Sequence, residues 1–305
     1  MNSHFLTLWD FTAAELQAFL DLGHRLKTER RAGVRHTALV GKTIALLFDK
    51  PSTRTRVSFE AAMYGLGGQV LFMPSRDTQL SRQEPLKDMA RVMSRYVEGL
   101  VVRTFGQEVV EELARYASVP VVNALTDLHH PCQVLSDIMT VRERKGSMED
   151  LAVAWVGDGN NMANSWIQAA ARLGFALTLA CPEGYDPSPQ VLAAAQAEAR
   201  RPITVRRDPR QAVAAADVVN TDVWASMGQE SEQAERAKRF QPYQVNSALL
   251  AAAKPDAIVL HCLPAHRGEE ITDEVLESPA CVAFDQAENK LHLHKAVLLA
   301  LLGRQ

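Results

Sequence analysis

Hydroxyl and guanidinium side chains crowd into the run Pro51-Ser52-Thr53-Arg54-Thr55-Arg56-Val57-Ser58-Phe59-Glu60. The apolar stretch before it, Thr43–Phe48, reads as a short buried strand, and Pro51 punctuates the turn into a helix. A helix N-terminus offers unpaired backbone N–H groups and a partial positive charge. Hydroxyls and arginines at that spot make a site for a doubly charged phosphate. A capping serine followed by solvated arginines is the plainer alternative. The whole string, directly after a strand, argues for the anion.

Further candidates follow other strand-like runs. Arg103 closes Leu100-Val101-Val102 and is either a solvated strand end or a second arm of an anion clamp; a dianion needs several cations, which favours the clamp. His130 and Gln133 stand one turn apart at a helix start, where both can face a ligand carbonyl and stabilise a developing oxyanion. Asp222, beyond Asp217–Asn220, either caps a helix or, with Ser226, receives an ammonium group. His261 and Cys262 suggest a thiol nucleophile, but adjacent strand residues face opposite ways. A metal on His261 and His266 lacks a third ligand at a sensible spacing. Gly157-Asp158-Gly159 opens like a dinucleotide fingerprint, yet Met162 holds the third glycine position and no acid ends the next strand.

These positions need a scaffold that places strand ends together. Strand-like runs fall near 43–48, 69–73, 99–103, 119–122, 151–156, 175–181, 203–206, 217–220, 257–260 and 281–284. Helical patterns near 53–65, 84–96, 107–116, 161–173, 189–199 and 245–253 separate many of them. Such alternation predicts an α/β protein with doubly wound parallel sheets, whose ligands bind beyond the carboxyl ends of the strands. The expected division is a domain at 1–132, a linking helix at 133–148 and a domain at 149–286, followed by an apolar helix at 287–305.

At 305 residues the chain is too long for one typical core, so two domains are the default. A net charge of −3 gives no general footprint for nucleic acid or anionic membrane, so any anion site must be a local cluster of arginines. No apolar run reaches spanning length, and Met1–Phe5 lacks a signal pattern. Cys132, Cys181, Cys262 and Cys281 are too widely spaced for a zinc site or disulfide framework, and a reduced, cytoplasmic setting is expected.

The motifs together resemble the aspartate and ornithine carbamoyltransferase family. Ser-Thr-Arg-Thr-Arg, Arg-Thr-Phe-Gly, His130-Pro131-x-Gln133, Gly-Asp-x-x-Asn-Asn, Asp222-x-x-x-Ser226-Met227-Gly228 and His261-Cys262-Leu263-Pro264 match its elements, and the Asp-x-x-x-Ser-Met-Gly pattern sides with the ornithine branch. The resemblance implies two domains with the active site in the interdomain cleft, a C-terminal helix at 287–305 that crosses back to join the first domain, and carbamoyl transfer from carbamoyl phosphate to the δ-amine of L-ornithine. It assigns carbamoyl phosphate to Ser52, Thr53, Arg54, Thr55, Arg103, His130, Gln133, Cys262, the Leu263 backbone and Lys290, with Gln79 reaching in from a neighbouring subunit of a homotrimer or a multiple of trimers. Ornithine falls to Asn161, Asp222, Ser226 and Met227, with Cys262 beside the reacting amine. No metal or cofactor is called for. Lys290 departs from the family, where an arginine is expected; lysine keeps the charge and loses the planar fork. Rival readings are a sister transferase acting on putrescine or N-acetylornithine, a non-catalytic carbamoyl phosphate-binding paralogue, and a nicotinamide-dependent oxidoreductase.

Overall fold

Short runs of branched and aliphatic residues become the strands of two all-parallel sheets, each belonging to its own unit. The computed structural model describes residues 3–74, 84–226, 228 and 230–303. By contact density the chain divides into Met1–Met139 with Glu288–Gln305, and Thr140–Ala287.

The first unit holds β1 (Thr43–Phe48), β2 (Gln69–Pro74), β3 (Gly99–Arg103) and β4 (Val121–Leu125) in the order β2-β1-β3-β4. Its helices are α1 (Ala13–Arg31), α2 (Thr53–Tyr64), α3 (Leu86–Met93), α4 (Gln107–Tyr116) and the first part of α5 (Pro131–Lys145). The central strand β3 is buried throughout, as fits a sheet covered on both faces, whereas edge strand β2 alternates. Ala45, Leu47, Leu100 and Val102 pack with Met89 and Met93 of α3 and Val110 and Leu113 of α4. Each large aliphatic side chain so buried contributes roughly 1.5–3 kcal/mol. Helix α1 starts in a capping box, Thr12 and Glu15 each satisfying the other's backbone N–H.

The second unit holds β5 (Ala152–Val156), β6 (Ala176–Ala180), β7 (Ile203–Arg206), β8 (Val218–Thr221) and β9 (Ile258–His261) in the order β7-β6-β5-β8-β9. Around it run α6 (Asn161–Leu173), α7 (Pro189–Glu198), α8 (Pro209–Val213), α9 (Gln233–Phe240), α10 (Ser247–Leu250) and α11 (Asp273–Leu276). Ala154, Val156, Val219 and Val259 pack against Val213, Leu249 and Val275. The last helix, α12 (Ala283–Leu302), starts in this unit, and from Glu288 onward its residues belong to the first.

Two expectations need correcting. Residues 281–284 form no strand: Cys281 makes a single bridge to Val259, and Ala283 already opens α12. The helix expected over 245–253 is only Ser247–Leu250, because Asn246 caps it and Ala251 leaves the helical ladder. Among the described residues no helix is long and apolar enough to cross a membrane.

Candidate active site

In each sheet the winding reverses once, between β1 and β3 and between β5 and β8. Crevices beyond the carboxyl ends of strands at such reversals are where open α/β sheets bind ligands.

The turn after β1 is tied to its neighbours. Asp49 donates its N–H to the Arg103 carbonyl at 2.8 Å, and the Thr104 hydroxyl donates to the Asp49 carboxylate. Lys50 pairs with Asp127 and lies 4.2 Å from the centre of the Phe105 ring. Ser52 then stands extended before α2, its hydroxyl accepting the Thr55 N–H at 3.3 Å, so Thr53 to Arg56 form the first helical turn. Thr53 and Arg54 are exposed there. Arg56 is exposed too but already engaged: it donates to Glu60 at 2.9 Å and its guanidinium sits 3.7 Å over the Phe72 ring, so the second arginine of the string is a structural group. Arg103 is buried at the end of β3, where Ala124 bulges out of β4 and the pairing shifts from Asn123 to Leu125. Bulges of this kind re-aim a side chain.

Lys290 gathers the rest of this half-site. Its ammonium donates to Thr55 Oγ1 at 3.2 Å and to Gln133 Oε1 at 2.9 Å, joining α12, α2 and α5. Gln133 is held from behind, its amide donating to Asp137 at 2.8 Å, which leaves the oxygen facing the cation. His130 is buried just before α5. Burial, with the charges of Lys290 and Arg103, holds its imidazole well below the ordinary value. A neutral ring has one N–H to donate, the form suited to polarising a carbonyl without adding charge.

In the second unit Asp222 is the hub. One carboxylate oxygen accepts from Asn160 Nδ2 at 3.0 Å; the other accepts from Cys262 Sγ at 3.1 Å and from the Val223 N–H at 2.9 Å. Asn160 does two jobs, since its oxygen also caps α6 through the Met162 and Ala163 N–H groups. Sequence reasoning chose Asn161 and passed over Asn160, although an asparagine immediately before a helix is a capping signal. Asn161 lies half-buried at the first position of α6, its carbonyl accepting from Ser165 Oγ at 2.8 Å. Ser226 is half-buried four residues beyond Asp222. Leu263 turns sharply out of β9 with φ +59°, a conformation rare for a branched residue. Met227 and Gln79 lie outside the described residues.

Two further groups escaped the sequence reading. Arg236 on α9 is buried and donates to Asp158 and to the Trp224 carbonyl, both at 2.9 Å, which ties the segment after Asp222 to the turn after β5. Burial pushes the Asp158 carboxyl up to about 6 against the pull of Arg236, with repulsion from Asp222 adding to it. Gly159 has no room for a side chain, because a Cβ would stand 2.2 Å from the Asp186–Pro187 backbone. In a dinucleotide site that space admits a pyrophosphate; here the protein's own chain fills it.

Asp222, His261 and Cys262 bring three potential metal ligands within 4.8 Å, a grouping the spacing argument missed because Asp222 arrives from another strand. His261 has no lone pair to give, however. Its Nδ1 accepts the Leu263 N–H at 2.9 Å, so Nε2 carries the proton and donates to the buried Glu270 at 2.9 Å.

Comparison with known proteins agrees with this geometry. Residues 3–143 match the family description "Aspartate/ornithine carbamoyltransferase, carbamoyl-P binding domain", and residues 149–301 match "Asp/Orn binding domain" of the same family. The chain is 70% identical over 303 residues to an ornithine carbamoyltransferase of Desulfotalea psychrophila, covering 99% of this chain and 100% of that one. An ornithine carbamoyltransferase of Geobacter sulfurreducens is 57% identical over 302 residues, with 99% and 100% coverage. The solved ornithine carbamoyltransferase of Pyrococcus furiosus superposes with a TM-score of 0.96 at 49% identity, covering 99% of this chain and 97% of that one.

Proposed function

The chain belongs to the aspartate/ornithine carbamoyltransferase family, and from that premise we infer that it transfers the carbamoyl group of carbamoyl phosphate to the δ-amine of L-ornithine, giving L-citrulline and phosphate. The observation that carries the choice of acceptor is Asp222, a carboxylate met by an amide, a thiol and a backbone N–H and by no cation in these contacts. Such a group suits an α-ammonium. An acceptor with a second carboxylate needs basic residues instead, and a simple diamine has no α-carboxylate for Asn161 to hold.

In this reading Ser52, Thr53, Arg54, Thr55 and Arg103 bind the phosphate, His130 and Lys290 address the carbamoyl oxygen, and Gln133, expected from the sequence to do the same, instead holds Lys290 in place because its amide N–H is spent on Asp137. Charge developing on that oxygen is stabilised by preorganised donors, each worth about 3 kcal/mol in a water-excluded site. Asn161, Asp222, Ser226 and Met227 hold ornithine. Because Cys262 gives its proton to Asp222, its sulfur presents lone pairs that can accept an N–H of the amine and aim its lone pair at the carbamoyl carbon. The Leu263 backbone accepts from the carbamoyl group.

The nucleophile is the neutral amine. With an ordinary alkylammonium pKa near ~10.4, its reactive fraction grows tenfold per pH unit below that value. Attack forms the C–N bond, collapse breaks the carbamoyl C–O bond, and the departing phosphate takes the surplus proton of the amine and leaves as the hydrogen phosphate dianion. Proximity and fixed dipoles suffice for this chemistry. The assembly in this reading is a homotrimer or a multiple of trimers in which Gln79 serves the neighbouring subunit. A cytoplasmic location suits four free cysteines, two of them fully buried.

The test is citrulline formation from carbamoyl phosphate and L-ornithine, with putrescine and N-acetylornithine as parallel acceptors. Turnover with ornithine alone supports the reading. Turnover with another acceptor overturns the use of Asp222 and Ser226, and silence with all three favours a binding protein.

A further inference from the structure

One buried group beside the carbamoyl phosphate residues has no part in the mechanism above. His294 lies one helical turn beyond Lys290 on α12 and is fully buried. Its ring is stacked on Phe59 at 3.6 Å between centroids with 12° between planes. Its Nδ1 is 2.9 Å from Ser58 Oγ. The serine's single proton goes to the Thr55 carbonyl at 3.0 Å, so Nδ1 must carry the hydrogen and donate. The stack fixes the plane of the imidazole, and the hydrogen bond fixes its rotation within that plane.

The pattern is a two-rung ladder. Lys290 grips Thr55 through its side chain, and His294 grips the same turn of α2 through Ser58. Both rungs belong to the first unit. Lysine at 290 is a flexible four-carbon stem with a compact charge, so the bonds it donates help to set where that charge sits. One of its acceptors, Thr55, rides on α2. A shift of α2 against α12 would therefore move the phosphate-binding turn and the carbamoyl-polarising cation together. Burial and the charge of Lys290 keep the His294 ring neutral, which preserves the tautomer the second rung needs.

Resting on the reading above, we propose that His294 is a positioning residue for carbamoyl phosphate. Acting through Ser58, it locks the first turns of α2 against α12 and thereby stations Lys290.

The experiment compares the wild-type chain with His294→Leu, His294→Gln, Ser58→Ala and the His294→Leu/Ser58→Ala pair, reading KM for each substrate, kcat and Tm. Loss of one neutral hydrogen bond, about 1 kcal/mol, corresponds to a rise of roughly fivefold in KM for carbamoyl phosphate. That rise is expected in His294→Leu and in Ser58→Ala, with KM for ornithine within twofold of wild type. The pair should be no worse than either single change, since both break the same bond. His294→Gln retains an N–H donor and should recover most of the loss. Equal shifts for both substrates, additive losses, or a fall in Tm with both KM values unmoved would overturn the proposal. If leucine at 294 prevents folding, Ser58→Ala and His294→Gln still decide it. A wild-type chain without turnover defeats the functional reading and the lock with it, whereas an active wild type with indifferent variants defeats the lock alone.

Discussion

The turn after β1 and the turn after β8 hold opposite charges in the same manner. Lys290 is met by a hydroxyl and an amide oxygen, and Asp222 by an amide, a thiol and a backbone N–H. At three other places charge meets countercharge: Lys50 pairs with Asp127, Arg236 with Asp158, Lys254 with Asp217. The difference separates two uses of charge. A cation opposite a carboxylate is largely neutralised and serves the fold, while a charge met by neutral dipoles is oriented yet still able to attract a substrate of opposite sign.

The severest way to break that comparison is to delete a charge reserved for the ligand. Arg54→Ala should lower kcat/KM by about a thousandfold or more, because a dianion loses a charge-assisted bidentate partner. Sedimentation should show the assembly unchanged, and retained turnover would refute the phosphate assignment. The counterpart is Asp222→Asn, which keeps the shape and removes the charge. KM for ornithine should rise about a hundredfold, in the range for losing a hydrogen-bonded charge pair, with KM for carbamoyl phosphate little moved. Steady-state kinetics in both substrates checks this, and parallel changes in the two KM values would merge the half-sites the comparison keeps apart.

A smaller effect sharpens the contrast. Burial lowers the His129 and His292 rings to about 4, and the His130 and His294 rings are held well below their ordinary value, all in the first unit. Depressed imidazoles contribute stability that is present above pH 6.5 and lost as pH falls toward 4. Asp158 in the second unit is raised to about 6, so its contribution has the opposite sign: greatest below pH 3.8 and lost as pH rises through 6. Moving from pH 7 to pH 5 should cost the first unit roughly 2 kcal/mol through His129 alone while favouring the surroundings of Asp158 by about 1 kcal/mol. Hydrogen exchange resolved by peptide, corrected for intrinsic rates, should show the two units drifting apart, and a common drift would count against it. Smallest of all, Thr12→Ala should lower stability by about 1 kcal/mol through the lost cap of α1 and leave both KM values untouched.

Much of this was legible because strands and motifs carry local signals. Nine of the strand-like runs became strands at nearly the expected residues, since continuous apolar runs bounded by turns have few other fates in an α/β chain. The tenth, 281–284, read as a strand because Cys281-Val282-Ala283-Phe284 is apolar, yet only one bridge forms before the helix takes over. Motif residues such as Ser52 and Asp222 announced themselves by following strands. Arg56 did not announce that Glu60 and Phe72 would claim it, as those contacts depend on how β2 lies beside α2. Asp158, Arg236 and His294 were illegible for the same reason: their partners lie 78, 78 and 236 residues away in sequence.

Helix α12 also orders events in time. Lys290 and His294 belong to a unit whose other residues end at Met139, but they leave the ribosome only after residues 140–287 have been made. At ordinary elongation rates that interval is on the order of ten seconds. A nascent chain can thus lay down β1 to β4 long before the cation and its imidazole support arrive. Carbamoyl phosphate offered in that interval would find the Ser52–Thr55 turn without Lys290 beside it, so the half-site is completed only once the second unit has been synthesised.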